Sequence, residues 1–269
     1  MTDDDRPFPY IRATDLTVIY PTTASILGFG GDKSGYPALK GLNFELRPGT
    51  RLGLLGRNGS GKSTMLRTLA GVYPPASGSL EVDGTVASIF SAQSGFMPNA
   101  TGYENIFLRG TMLGFSYEEI RGMAPEIIEF ADIGDWINQP IFRYSSGMLL
   151  RLAFALTTAI KSDILLMDEW LGAGDASFLS KARIRMAEMV ENAKILVLAS
   201  HNLSLIERIC EQVMVIDGGE IAHFGSTDEV LAAYRLERDT IFDPEKAEKA
   251  RLQREKQAER VAQSDPASS

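Results

Sequence analysis

The chain has 269 residues, 44% of them hydrophobic and 23% charged, with a formal net charge of −8 at pH 7. That acidic balance argues against non-specific nucleic-acid binding, which needs a basic face. A single cysteine, Cys210, excludes an internal disulfide and fits a reducing compartment. The start, "MTDDDRPFPY", is acidic without an apolar core, so no signal peptide is expected. No stretch approaches the roughly 20 apolar residues that a membrane span requires.

In chain order, "YIRATDLTVI" (10–19) alternates as a strand, and "YPTTASILGFGGDKSGY" reads as a long loop. "ALKGLNFELRPGTRLGLLG" predicts two strands around the turn "RPGT". The second ends in the continuous apolar run of a buried parallel strand. A helix is expected from Gly61 to about Ala70, and "GSLEVDGTVASIF" reads as a hairpin turning at Asp83-Gly84. Residues 103–132 predict at least one helix pair, and 148–160 another helix. "ILLMD" and "KILVLAS" are further buried strands, separated by a helix over 176–192. A helix from Leu203 to Cys210, a hairpin around Asp217-Gly218-Gly219 and a short helix, "TDEVLAAYRLE", follow. Buried strands alternating with helices define an α/β fold with a parallel core sheet and an antiparallel flap near its start.

The organisation expected is a globular α/β domain over residues 1–236, with a helical subdomain at about 100–160, and a charged tail over 237–269. Between Pro244 and Gln263 the tail carries six Lys or Arg and four Glu, a local net of +2. It reads as solvated and partly helical or disordered.

The chemistry begins at "GRNGSGKS", Gly56 to Ser63, which matches G-x-x-x-x-G-K-[ST] directly after the strand "RLGLL". Strand, glycine-rich turn and helix start are the context of a phosphate-binding loop of the P-loop NTPase type. Its glycines, Gly59 and Gly61 among them, let backbone N–H groups wrap an anion at a helix N-terminus. Asn58 lies within the same loop. Lys62 would reach the β- and γ-phosphates of ATP, Ser63 would ligate Mg²⁺, and Thr64 would add a hydroxyl near the α-phosphate. "ILLMDE" ends in Asp168, placed to hold Mg²⁺ through its water shell, followed by Glu169 as the general base for the attacking water. His201, at the end of "KILVLASHN", falls on the carboxyl edge of the sheet and is a candidate γ-phosphate contact. His223 has no such setting.

"YSSGM", Tyr144 to Met148, precedes "MDE" by about twenty residues and opens the intervening helix. Alone, Ser145 or Ser146 is an ordinary helix cap. In this order of motifs the chain resembles the nucleotide-binding subunit of ABC transporters, whose signature motif occupies this place. The resemblance covers roughly residues 10–236. It implies an ATPase with an ABC-type parallel core sheet, an antiparallel β subdomain and a helical subdomain. It implies a homodimer in which Ser145, Ser146 and Gly147 of one chain close over the γ-phosphate held by the other, and separate transmembrane permease subunits. It places Asp175, in "GAGDASF", at the dimer interface, and Tyr20 where an aromatic stacks on adenine. Gln93 resembles a glutamine that senses Mg²⁺ and water; counting back from P-x-x-x-G-x-E-N puts Ala92 at the usual position and Gln93 one residue later.

Ser146 and Met148 stand where the commoner signature has Gly and Gln. With "GFMPNATGYENIFLRGTMLGFS" (95–116) they resemble the branch exporting O-antigen, teichoic acid and related lipid-linked polysaccharides. Tyr103 to Leu113 is then the candidate surface for the membrane partner, and the chain is expected on the cytoplasmic face of the membrane. The tail has no patterned core, so glycan recognition is expected elsewhere. Two alternatives stay open: the same ATPase serving a drug, lipid or peptide, and a soluble ABC protein acting on ribosomes or DNA.

Overall fold

A computed structural model of the chain describes residues 8–21, 35–89, 95–168 and 176–242. The strands are β1 (Tyr10–Pro21), β2 (Gly35–Leu46), β3 (Arg51–Leu55), β4 (Ser77–Asp83), β5 (Val86–Ser88), β6 (Ile164–Asp168), β7 (Ile195–Ala199), β8 (Gln212–Asp217) and β9 (Glu220–Ser226). The helices are α1 (Lys62–Leu69), α2 (Gly102–Met112), α3 (Tyr117–Ala131), α4 (Ser146–Thr158), α5 (Ala176–Asn192), α6 (Leu203–Ile209) and α7 (Thr227–Phe242). Two 3₁₀ turns, Gly134–Asn138 and Ile141–Arg143, link α3 to α4.

Six strands form the core sheet in the order β5-β6-β7-β3-β8-β9. All its pairings are parallel except the β8–β9 hairpin. A second sheet, β2-β1-β4, is antiparallel. The period of two along a strand divides the core sheet's side chains between two cores. Ile164 and Leu166 of β6 face a cluster shared with β1, β2 and α1. Leu165 and Met167 face the other way, onto Phe154, Phe178, Met186, Ile206 and Leu231 from the helices. That alternation explains why β6 and β7 read as unbroken apolar runs: both faces are covered.

A third cluster joins α2, α3, α4 and the first 3₁₀ turn, where Ile106, Ile120, Ile127, Ile137, Leu152 and Leu156 are buried together. Two of these helices start at capping boxes. Thr101 and Glu104 cap α2, and Ser116 and Glu119 cap α3, each pair bonding the other's backbone N–H. The same contacts hold the Glu104 carboxyl below its usual range through the Thr101 backbone and hydroxyl.

Two sequence expectations change. Asp83-Gly84 is no hairpin turn: β4 bonds to β1 in one sheet, and β5 pairs with β6 in the other. The chain crosses between sheets there, with Gly84 at φ 111°. Thr85 then latches onto Asp163, its backbone N–H and hydroxyl donating to Oδ2 at 3.0 and 2.9 Å. The last helix also runs to Phe242, five residues beyond the expected Glu237.

Candidate nucleotide site

β3 delivers the loop 56–61 to the start of α1, at the carboxyl edge of the core sheet. The helix begins after Gly61, whose φ of 118° is left-handed, and has neither a side-chain cap nor an acidic residue in its first turn. Its first N–H groups are therefore left for a ligand, and the helix dipole favours an anion there. Lys62 is buried, and its Nζ donates to the carbonyls of Gly56 at 2.8 Å and Arg57 at 3.1 Å. The hairpin tip supports the loop from behind: Gly219 N–H donates to Ser60 O at 3.0 Å, and Lys40 N–H to Gly219 O at 2.9 Å.

Ser63 and Asp168 lie 105 residues apart in sequence, yet the Ser63 hydroxyl donates to Asp168 Oδ2 at 2.7 Å. This brings a hydroxyl and a carboxylate together beside the phosphate loop, a pair of hard oxygen donors suited to a divalent cation. No cluster of three or more His, Cys, Asp or Glu with metal-site geometry occurs among the described residues. A cation here would need further oxygens from water or phosphate, as Mg²⁺ in nucleotide sites does.

One cleft of about 890 Å³ takes in Asn58, Gly59, Gly61, Lys62, Ser63, Thr64, Asp168 and His201, and also Tyr20. Nine residues read from the sequence as nucleotide contacts thus converge on one cavity. Tyr36, Ala38 and Ser200 line it as well and belong to none of the sequence motifs. Ser200, directly before His201, shares the strand-end signal that pointed to the histidine. Tyr36 had no local signal; it is brought in by β1–β2 pairing, directly opposite Tyr20.

Tyr20 shares a 2.7 Å hydrogen bond between its hydroxyl and that of Thr64. Its ring stands edge-on to Tyr73 at a centroid distance of 5.3 Å. Ser145, Ser146 and Gly147 are not in this cleft. Ser145 is the N-cap of α4, its hydroxyl accepting from Met148 N–H at 3.2 Å, and Ser146 is the first helical residue. All three are exposed, so the start of α4 faces outward. Glu169, Asp175 and Gln93 lie outside the described residues.

The fold and this cleft define a P-loop nucleotide-binding protein. Residues 39–172 match the ABC transporter family. The chain is 42% identical over 200 residues to the "O-antigen export system ATP-binding protein RfbE" of Yersinia enterocolitica, covering 74% of this chain and 84% of that protein. It is 41% identical to RfbB of Myxococcus xanthus, described in the same terms, covering 76% of this chain and 47% of that one. It is 40% identical to the "Teichoic acids export ATP-binding protein TagH" of Lactiplantibacillus plantarum, covering 74% of this chain and 54% of that one. The chain thus spans about half the length of two of these relatives and most of the third. Among solved structures it superposes on the dimeric ATP-binding cassette MJ0796 bound to ADP and Pi, with a TM-score of 0.61 and 22% identity, over 81% of this chain and 98% of that one. The chain belongs to the ABC transporter family of ATPases, and it carries that family's ATP-binding fold.

Proposed function

We propose that this chain hydrolyses ATP to power export of a lipid-linked cell-envelope polysaccharide, an O-antigen, teichoic acid or similar glycan, across the cytoplasmic membrane. It works as a homodimer on the cytoplasmic face, bound to a separate pair of transmembrane permease subunits. The observation carrying the ATPase reading is the 2.7 Å bond from Ser63 to Asp168 inside the cleft that also holds Lys62 and His201. The cargo is supported by relatives near 40% identity that are named for O-antigen and teichoic acid export.

In this reading the backbone of Asn58, Gly59 and Gly61 and the start of α1 bind the phosphates. Lys62 leaves its two carbonyl partners to meet the β- and γ-phosphates, and Thr64 serves the α-phosphate. Ser63 and Asp168 hold Mg²⁺, with Gln93 as a further oxygen donor. The metal, when bound, offsets charge that develops on the phosphate oxygens. Glu169 orients and deprotonates the attacking water, and His201 contacts the γ-phosphate. Tyr20 forms one wall for the base. The outward-facing start of α4, with Ser145, Ser146 and Gly147, completes the site of a second copy, and Asp175 lies at that junction.

A surface for the permease is supported by exposed apolar side chains on and beside α2. Tyr103, Leu108, Met112, Leu113 and Tyr117 are each more than 40% exposed. Phe107 bridges Tyr103 and Tyr117 at centroid distances of 5.2 and 4.9 Å. Among the described residues no helix is long and apolar enough to cross a membrane.

Isolation of the tagged chain from native membranes tests this reading. A polytopic membrane subunit carrying lipid-linked polysaccharide is the expected companion. Recovery with a permease for another cargo keeps the ATPase and overturns the glycan; recovery with ribosomes overturns transport.

A further inference from the structure

The nucleotide cleft is polar at one end and aromatic at the other. Lys62, Ser63, Asp168 and His201 gather at the phosphate end, and Tyr20 and Tyr36 stand together on the β1–β2 wall. Tyr20 and Tyr36 are direct partners across an antiparallel pair. Such partners project from the same face of the sheet with their Cβ atoms about 5 Å apart.

The two tyrosines are not equivalent. The Tyr20 hydroxyl is tied to Thr64 and its ring is packed edge-on against Tyr73, so its pose is fixed by the loop it adjoins. Tyr36 lines the same cleft but is 64% exposed, and among the described residues it has no hydrogen-bond or ring partner. A tyrosine open at the rim of a cleft presents a flat apolar face that a planar ligand can cover. Gly35 makes this placement possible. A Cβ there would run into the Tyr20 carbonyl oxygen and Ile19 Cγ2, so the absence of a side chain lets the two strands close up beside the tyrosines.

We infer that Tyr36 is a second base-contacting residue, forming with Tyr20 a two-tyrosine platform for the purine face of the bound nucleoside triphosphate. The inference rests on the nucleotide reading given above. Stacking reads the π-face rather than the hydrogen-bonding edge of a base. Tyr36 therefore separates triphosphates that carry a purine from those that carry no base, and treats ATP and GTP alike.

The test is calorimetric titration of the full chain with ATP, GTP and inorganic tripolyphosphate. Tyr36→Ala should weaken ATP and GTP about five- to hundredfold, the range of one base–aromatic stack, and leave tripolyphosphate unchanged. Tyr36→Phe should restore the wild-type affinities. ATP affinity unchanged in Tyr36→Ala overturns the inference, and so does an equal loss for tripolyphosphate, which would mean a structural role. Tyr36→Trp adds a signature beside the native Trp136 and Trp170: after subtraction of the wild-type response, its emission should be quenched by ATP and not by tripolyphosphate, and no quenching beyond wild type contradicts base contact. A wild-type chain that binds neither ATP nor tripolyphosphate overturns the nucleotide reading and this inference with it. Failure of the Tyr36 variants alone leaves the nucleotide reading standing.

Discussion

The Ser63 hydroxyl and the Asp168 carboxylate meet at 2.7 Å, joining the first turn of α1 to the end of β6. Two elements far apart in sequence thereby present their oxygens to one point, beside the buried ammonium of Lys62. The chemistry proposed for the chain depends on that junction, and it can be dissected one group at a time.

Asp168→Asn keeps an oxygen that can accept from Ser63 but removes the negative charge. Nucleotide binding without Mg²⁺ should stay within a few-fold of wild type, because the phosphate loop is untouched. The Mg²⁺ concentration for half-maximal ATPase should rise by about 10- to 100-fold, the usual cost of losing an outer-shell partner of a metal. Titration of ATPase rate against Mg²⁺ measures this. An unchanged midpoint would remove Asp168 from the metal site.

Lys62→Ala removes the cation expected to face the β- and γ-phosphates. A hydrogen bond to a charged group is worth about 1.5–3 kcal/mol, so ATP affinity should fall by about 10- to 100-fold. Binding is read by calorimetry, with thermal unfolding as the control for the lost contacts to Gly56 and Arg57. Wild-type affinity in this variant would contradict the phosphate-loop assignment.

Cys210 closes α6 and is buried, and burial pushes its thiol from the ordinary 9.0 up to about 12, with nearby Arg51 opposing the rise. The thiolate is the reactive form, so at pH 8 the folded chain should resist thiol-specific reagents that label the unfolded chain promptly. The raised value also sets a pH dependence. Well below pH 9 the thiol is protonated in both states and its contribution is fully present; as pH rises through 9 towards about 12 the unfolded chain releases the proton first, and stability falls. Melting temperature should drop more steeply across that window than in Cys210→Ala. Equal slopes would mean the thiol is not what titrates.

Much of this architecture is legible in the sequence because its signals are local. The phosphate loop follows a β-strand and precedes a helix, and the run "ILLMD" is apolar because Ile164 and Leu166 face one core while Leu165 and Met167 face another. The late hairpin is just as local: Asp217-Gly218-Gly219 turns β8 into β9. Asp83-Gly84 carries nearly the same turn chemistry and misleads, since partner choice there is made by β1 and β6, distant in sequence. Tyr36 was missed for a related reason. Nothing near it marks a site, and only its register with Tyr20 brings it to the cleft.

The signature serines illustrate a different limit. Within one chain Ser145 is a helix cap on Met148, and nothing more local is needed to explain it. Its proposed second role, on the γ-phosphate of a facing copy, exists only between chains.

Sedimentation velocity of the Glu169→Gln chain, with and without ATP, tests that composite site most directly. Loss of the general base should stop turnover and leave ATP sandwiched, so the chain should pass from monomer to dimer on ATP addition. Adding Ser145→Arg should leave ATP binding nearly intact and return the protein to monomer, because the larger side chain blocks closure at the start of α4. A Glu169→Gln chain that binds ATP and stays monomeric, or a Ser145→Arg variant that dimerises normally, would contradict the account.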